Sequence, residues 1–256
     1  MEMLSVRQLN KIYEGKVPSR ALTDINMSIE QGEFVGIMGP SGSGKTTLLN
    51  LVAAIDAPTS GEVLINGSNP HKLSKRELAL FRRKQLGFVF QDFNLLNTLT
   101  VEENIVLPLT LDGVSVKHME EKVVAIAKTL GIEAILKKRT YEISGGQAQR
   151  TAIARAMIHS PKFLFADEPT GNLDSKSAKA VMETLNEINR NEGTAMMLVT
   201  HDALAASYCH RVIFIKDGQL FNEIYCGNSR QAFFQKIIDV LSLLGGNAHD
   251  LSSIRV

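Results

Sequence analysis

The sequence predicts an α/β fold, with a parallel β-sheet core and a helical segment inserted into it. Short apolar runs typical of strands buried on both faces recur at residues 34–38, 163–166, 195–199 and 212–215. A glycine-rich turn at residues 39–44 joins the first run to residues 45–54, which lack helix breakers and have leucines at helical spacing. Strand, turn and helix in this order begin an α/β unit.

An N-terminal antiparallel β-subdomain is predicted to precede the parallel core. Residues 3–9 and 21–29 are expected to form strands, because Gly15, Pro18 and Ser19 mark a turn region between them. Residues 63–65 predict a further strand, and the apolar run 88–90 another.

The middle of the chain predicts helices. Five apolar residues fall on one helical face before a stop at Gly131: Met119, Val123, Ile126, Ala127 and Leu130. A second helix should begin near Ser144 and end before Pro161. We therefore expect a domain at residues 3–224 with a helical insert at about 92–158, and an extension at 225–256.

Composition limits the possible functions. The 256 residues carry 28 Lys and Arg against 27 Asp and Glu, a net charge of +1, so no global field favours nucleic acid. Two cysteines are too few for a disulfide framework and fit a reducing compartment. We find no signal-peptide core and no run of the roughly 18 apolar residues that a membrane span needs. Any work at a membrane is expected to proceed through a partner.

The glycine-rich turn matches the phosphate-binding motif G-x-x-x-x-G-K-[ST] without a mismatch. Its residues are Gly39, Pro40, Ser41, Gly42, Ser43, Gly44, Lys45 and Thr46. Glycines let backbone N–H groups converge on phosphate oxygens, and the following helix adds its positive end. Lys45 can reach the β- and γ-phosphates, the Thr46 hydroxyl can ligate Mg²⁺, and Thr47 is an additional donor.

Two further segments fit a nucleotide site. Asp167 and Glu168 follow a buried strand, where the first can enter a Mg²⁺ shell and the second can activate water. Residues 143–147, Ile-Ser-Gly-Gly-Gln, open a helix at which Ser144 is a natural N-cap and the glycines expose backbone amides to an anion. Taken alone, the acids could mark an ordinary strand end and the serine could serve only as a cap.

Together these motifs resemble the nucleotide-binding subunit of an ABC transporter, over about residues 3–224. The family signature LSGGQ appears here with Ile143 in place of leucine, followed by Ser144, Gly145, Gly146 and Gln147. The resemblance assigns Tyr13 to adenine stacking, Gln91 to Mg²⁺ and the partner interface, the turn 171–174 with Asp174 to the D-loop, and His201 to the γ-phosphate. The alternatives are an ordinary strand aromatic for Tyr13, a solvated loop residue for Gln91 and a structural role for His201.

This resemblance implies a P-loop NTPase (RecA-like) fold that hydrolyses ATP with Mg²⁺. Glu168 would be the general base, His201 would hold the catalytic geometry, and Thr46, Gln91 and Asp167 would hold the metal. Two copies would sandwich two nucleotides head to tail, each between one phosphate loop and the partner's signature. A membrane permease, contacted through residues 91–97 and 100–104, would keep the subunit at the cytoplasmic face of the membrane. No nucleic-acid partner is expected.

A closer resemblance is to Bce-type ATPases, within the macrolide-exporter and lipoprotein-release group. It rests on residues 91–96, 172–174 and 205–209, and on an apolar stripe in the extension. The stripe comprises Phe233, Phe234, Ile237, Ile238, Leu241 and Leu244. The Bce-type resemblance implies resistance to antimicrobial peptides such as bacitracin, with a large permease and often a sensor kinase as partners. The alternatives are a lipoprotein-release, macrolide-export or cell-division ATPase, or a soluble ABC ATPase. The stripe could dock a permease, form a dimer contact or simply pack on the core.

Overall fold

A computed structural model describes residues 1–245 of the chain. Its strands are β1 Glu2–Tyr13, β2 Ser19–Glu30, β3 Phe34–Met38, β4 Ser60–Ile65, β5 Leu86–Val89, β6 Phe163–Asp167, β7 Ala195–Val199, β8 Arg211–Lys216 and β9 Gln219–Tyr225. Its α-helices are α1 Lys45–Val52, α2 Lys75–Gln85, α3 Val101–Leu111, α4 Val116–Leu130, α5 Gly145–Met157, α6 Ser175–Glu192, α7 Ala203–Ala206 and α8 Arg230–Gly245.

The chain forms two compact units. The first contains Met1–His71 and the chain from Leu198 onward, and the second contains Lys72–Met197. Strand β7 therefore begins in the second unit and ends in the first.

The first unit contains the predicted antiparallel sheet, in the order β2-β1-β4. Leu4 of β1 pairs with Ile29 on one side and Ile65 on the other, so all three strands turn apolar side chains to a shared core. The same unit pairs β3 in parallel with β8, and β8 antiparallel with β9. The five residues of β3 are all buried, as the apolar run predicts.

The second unit pairs β5 in parallel with β6 and contains helices α2 to α6. Val89 lies beside Ala166, so the segments that follow β5 and β6 leave the same edge of this strand pair. Ring contacts among Phe88, Phe163 and Phe165 fill the space along the two strands. The predicted combination of α/β core, antiparallel sheet and inserted helices is confirmed.

Some element boundaries differ from the expectations. The first helix ends at Val52 rather than at residue 54, and Phe90 lies outside β5. Helices α2, α3 and α6 were not predicted, although the first two begin with a capping box, Ser74 with Glu77 and Thr100 with Glu103. Strand β9 is exposed over most of its length and therefore lacks the apolar pattern of a core strand.

The C-terminal stripe packs within the first unit. Phe233, Ile237 and Leu244 are buried, together with Val240, which was not predicted. Helix α8 contacts α7 and β9, and the Arg230 guanidinium lies 4.3 Å from the Tyr208 ring centroid. This packing favours the core alternative over a docking role. The end of the predicted extension, residues 246–256, lies outside the described residues.

Among residues 1–245, no helix combines the length and the apolar content needed to cross a bilayer.

Candidate functional site

The phosphate loop, residues 39–46, connects β3 to α1 in the first unit and bends sharply at its glycines. Gly39 has φ 153° and Gly42 has φ 77°, conformations that residues with a Cβ rarely adopt. A Cβ on Gly39 would lie 2.1 Å from the Ile215 carbonyl oxygen, whereas a Cβ on Gly42 would meet no atom within 4 Å. Gly39 is therefore required by the fold, because no larger residue fits there. Gly42 leaves the space beside the loop free for a ligand.

Polar groups of the loop are arranged to receive an anion. The Ser43 hydroxyl is buried and has no hydrogen-bond partner among the described residues 1–245. The Lys45 ammonium donates to the carbonyl oxygens of Gly39 and Pro40, both at 2.9 Å, so it lies across the loop. An orphaned buried hydroxyl, an open glycine and an ammonium at a helix N-terminus fit a polyphosphate.

Two other predicted residues belong to the first unit. Tyr13 ends β1 and is 41% exposed, so part of its ring is accessible to a ligand. His201 follows β7, and the preceding residue, Thr200, donates its backbone N–H to the Ile37 carbonyl at 3.2 Å. This bond places His201 beside the end of β3, where the phosphate loop begins.

The second unit holds the predicted acids. Asp167 is the last residue of β6 and Glu168 follows it in the left-handed region, with φ 45°. Gln91 leaves the neighbouring strand β5 two residues after Val89, at the edge where Asp167 and Glu168 emerge. The structure therefore brings these three side chains to one edge of the strand pair. A left-handed conformation is unusual for a glutamate and is typical of a functional turn.

The turn 171–174 is joined to the segment after β5, which we call the Gln91 loop (residues 90–94). The Asn172 amide donates to the Gln91 carbonyl oxygen at 3.2 Å and to the Asp92 carboxylate at 2.8 Å, while the Gln91 side chain donates back to Asn172 at 3.4 Å. Asp174 then caps α6, accepting from the N–H groups of Lys176 and Ser177. A side-chain hydrogen bond from Ser177, together with the backbone bonds from Ser177 and Lys176, holds the pKa of the Asp174 carboxyl below its ordinary value.

The signature turn, residues 143–147, opens α5 with the predicted serine cap. The Ser144 hydroxyl accepts from the Gln147 N–H at 3.3 Å, and the Gln147 side chain accepts from the Ser144 N–H at 2.9 Å. Ser144 and Gly145 are exposed, whereas Gly146 is buried. The positive end of a 13-residue helix is therefore presented at an accessible turn.

Arg155, which was not predicted as a site residue, ties α5 to the Gln91 loop. Its guanidinium donates to the carbonyl oxygens of Phe93 at 2.9 Å and Asn94 at 2.5 Å. Both of these residues have positive φ, 60° and 49°, so the arginine holds two strained peptides in place. Burial lowers the pKa of this guanidinium. No local sequence pattern indicates this contact, because the partners lie 61 and 62 residues away.

A groove of about 230 Å³ lies between the Gln91 loop and the signature turn. Its lining residues are Asp92, Phe93, Leu95, Asn97, Thr140, Ile143, Gly145 and Ala148. The Thr140 hydroxyl donates to the Asn97 side chain at 2.9 Å, which links the two walls. Leu96 and Tyr141 beside it are exposed at 47% and 78%, so the second unit presents apolar surface here.

The donor types suit one class of metal. Thr46, Gln91 and Asp167 offer hydroxyl, amide and carboxylate oxygen, the ligand type that Mg²⁺ prefers. Within residues 1–245 no cluster of three or more His, Cys, Asp or Glu side chains could form a protein cage for a metal. Mg²⁺ held by a few protein oxygens and by substrate phosphates needs no such cage.

Comparison with known proteins gives consistent matches along the chain. The family model for the ABC transporter matches residues 22–171. The ABC transporter ATP-binding protein YxdL of Bacillus subtilis is 63% identical over 254 residues, 99% of each chain. The bacitracin export ATP-binding protein BceA of Halalkalibacterium halodurans is 49% identical over 252 residues, 98% of this chain and 100% of that protein.

A solved structure agrees with these sequence matches. The ATP-binding cassette MJ0796 of Methanocaldococcus jannaschii, in a dimeric post-hydrolysis state bound to ADP and Pi, has a TM-score of 0.81 to this chain. The two are 38% identical, over 89% of this chain and 100% of that one.

Proposed function

Because this chain belongs to the ABC transporter family as an ATP-binding, ATP-hydrolysing subunit, we propose that it powers a permease that handles antimicrobial peptides such as bacitracin. The observation that carries the proposal is the match to the bacitracin export protein over 98% of this chain, which includes the region after residue 224. The ABC transporter resemblance, the P-loop fold and the ATPase activity expected from the sequence are confirmed.

For the phosphate end of ATP, the proposed roles follow from the loop geometry. The backbone amides of residues 39–46 and the Ser43 hydroxyl bind phosphate oxygens, and Lys45 moves from the loop carbonyls to the β- and γ-phosphates. Thr47 donates an additional hydrogen bond, and Tyr13 stacks on the adenine.

Hydrolysis requires a base and a group that senses the γ-phosphate. Glu168 accepts a proton from the attacking water, and His201 donates a hydrogen bond to the γ-phosphate. Thr46, Gln91 and Asp167 would hold Mg²⁺, which when bound neutralises charge on the β- and γ-phosphates.

We further propose that two copies act together, head to tail. Ser144, Gly145, Gly146 and Gln147 of one copy, together with Asp174, face the nucleotide on the phosphate loop of the other. Loss of the γ-phosphate removes the charge that both helix N-termini bind, so hydrolysis opens the dimer. The dimeric state described for the related cassette supports this arrangement.

The permease contact is proposed at the groove beside the Gln91 loop. Its lining is partly apolar and partly polar, and together with the exposed Leu96 and Tyr141 it is suited to an amphipathic segment of a membrane partner. This docking keeps the subunit at the cytoplasmic face of the membrane. A sensor kinase would join through the permease, so its capture should require the permease.

The experiment is reconstitution with the membrane protein that co-purifies with this chain. We expect bacitracin to stimulate ATP hydrolysis in proteoliposomes, Lys45→Ala to abolish productive nucleotide binding, and Glu168→Gln to bind ATP but stall its hydrolysis. Wild-type turnover by Glu168→Gln would refute the general-base assignment.

The same preparation separates the alternatives. Stimulation by a lipoprotein or a macrolide, without a response to bacitracin, would replace the peptide assignment by a lipoprotein-release or macrolide-export role. Crosslinking from a cysteine placed at Leu96 or Thr100 tests the docking site. A lack of ATP-dependent crosslinks to the permease would contradict the proposed contact.

A further inference from the structure

A partly buried ion pair lies against the ring of Tyr13. The Lys11 ammonium is 2.9 Å and 2.8 Å from the two Asp56 carboxylate oxygens and donates to the Ala57 carbonyl at 2.7 Å. The same ammonium lies 4.7 Å from the centroid of the Tyr13 ring. Lys11 is only 9% exposed, so this cation is held in one position with little access to water.

Asp56 also binds the tip of the tyrosine. The Tyr13 hydroxyl donates to Asp56 at 3.2 Å, so the ring is held by its hydroxyl and covered on one face by the ammonium. Burial alone would raise the pKa of Asp56, but hydrogen bonds from Lys11 and Ala57 outweigh it and lower the pKa. The carboxylate therefore remains ionised, and a hydrogen-bond acceptor, at neutral pH.

Asp56 connects this tyrosine to the phosphate loop. It follows α1, the helix that the loop opens, and its N–H donates to the Asn50 carbonyl of that helix at 3.1 Å. Thr59, three residues later, receives a hydrogen bond from the Ile12 N–H at 2.9 Å. These hydrogen bonds connect the end of β1 to the segment that follows α1. Tyr13, proposed to bind the adenine, is thus linked to the helix that begins at the phosphate loop.

We propose that Lys11 and Asp56 are positioning residues for the adenine of ATP, because they fix Tyr13 with one face closed by the ammonium and its exposed surface available to the base. This inference rests on the proposed stacking role of Tyr13. Ordering a side chain on binding costs free energy, and a ring that is already ordered avoids this cost. A fixed ring therefore contributes to affinity for the base and not to the chemistry of the phosphates.

The test compares ATP with inorganic tripolyphosphate, which has the phosphates but no base. KM and kcat for ATP, and the inhibition constant of tripolyphosphate, are measured on the full chain with its permease for five variants: Asp56→Ala, Lys11→Met, Tyr13→Phe, Tyr13→Ala and the double variant Tyr13→Phe/Asp56→Ala. Melting temperatures are recorded for each. Tyr13→Phe removes only one oxygen, so it keeps the test valid if a variant at the ion pair fails to fold.

We expect Asp56→Ala, Lys11→Met and Tyr13→Phe each to raise KM for ATP by roughly three- to tenfold, as for one lost hydrogen bond. The turnover number and tripolyphosphate inhibition should change by less than about twofold, because both depend on the phosphate end. The double variant should be no worse than Asp56→Ala, since both changes break the same contact.

Three other results would overturn the inference in different ways. If Tyr13→Ala raises KM while Asp56→Ala and Tyr13→Phe leave it unchanged, the tyrosine binds the base but needs no positioning. If Tyr13→Ala also leaves KM unchanged, the stacking role itself is wrong, while loss of binding in Lys45→Ala would still support nucleotide binding. If the tripolyphosphate constant rises together with KM, the ion pair acts on the whole fold.

Discussion

Asn172 and Gln91 are joined in both directions, although 81 residues separate them in the sequence. The Asn172 amide donates to the Gln91 backbone, and the Gln91 side chain donates to the Asn172 oxygen. The proposed metal ligand and the turn that precedes α6 are therefore connected directly by hydrogen bonds. A substitution at either residue should therefore alter the position of the other.

Asn172→Asp should disrupt the Gln91 loop. The new carboxylate cannot donate a hydrogen bond to the Gln91 carbonyl. It also repels the Asp92 carboxylate, to which the native Asn172 amide donates at 2.8 Å. We expect kcat to fall by roughly three- to tenfold and the Mg²⁺ concentration for half-maximal activity to rise. Adding Asp92→Asn should restore part of the activity, because the new amide at position 92 can donate to the carboxylate at position 172, while the bond to the Gln91 carbonyl stays lost. If Asp92→Asn does not raise the activity of Asn172→Asp, the contact between positions 92 and 172 does not explain the loss.

Two glycines of the phosphate loop should respond differently to alanine. Gly39→Ala places a Cβ against the Ile215 carbonyl and should prevent stable folding or lower the urea midpoint sharply. Gly42→Ala meets open space, so its cost should be the left-handed strain alone, about 1–2 kcal/mol. Its methyl group would nevertheless occupy the mouth of the loop and weaken ATP binding. Urea unfolding and nucleotide titration measure the two effects; equal stability losses would contradict the assignment.

Arg155→Met should lower the free energy of unfolding by about 1–3 kcal/mol, because two carbonyl groups in the Gln91 loop lose their donor. Lysine at this position keeps the charge but lacks the fork that reaches both oxygens, so Arg155→Lys should recover only part of the loss. Arg190→Met, at an exposed arginine of α6, is the matched control and should change stability by less than about 0.5 kcal/mol. Urea unfolding distinguishes these variants, and equal losses in Arg155→Met and Arg190→Met would refute the role.

Stability should fall when the pH is lowered through about 6.5, the ordinary histidine value. Burial lowers the pKa of His159, a shift only partly opposed by its hydrogen bond to the Leu86 carbonyl and by nearby Asp112, with Lys122 acting in the same direction as burial. The unfolded chain then binds a proton more readily than the folded chain, so acid favours unfolding. Urea midpoints at pH 7.5, 6.5 and 5.5 should decrease in that order.

His159→Gln should flatten this pH dependence, and His71, whose pKa burial also lowers, should account for part of the remainder. A slope that is unchanged in the double variant His159→Gln/His71→Gln would show that other groups control it.

The parts of the site that the sequence predicts are those whose chemistry is local. The phosphate loop and the Ser144 cap are contiguous segments, in which glycines, hydroxyls and the following helix are visible together. Helix α6 was also visible in principle, since Asp174 caps its start and Gly193 in a left-handed conformation ends it.

Contacts between distant segments could not be predicted from one sequence. Lys11 and Asp56 are 45 residues apart, and nothing in the residues around Lys11 distinguishes a buried lysine from an exposed one. Whether Arg155 contacts the Gln91 loop depends on how α5 packs, which spacing along the chain does not determine. Strand β9 has no apolar pattern because its faces are largely exposed. In each case the feature depends on tertiary contacts, which a single sequence does not specify.

The capping box at α5 has a consequence for how an anion can be received there. A hydroxyl offers one hydrogen and two lone pairs, and the Ser144 cap uses a lone pair to accept from the Gln147 N–H. Its hydrogen can point to an arriving phosphate oxygen without the cap being broken. The lone pair of the Ser144 hydroxyl thus stabilises the helix, while its hydrogen is available to a phosphate oxygen. The signature turn therefore need not unwind in order to bind an anion.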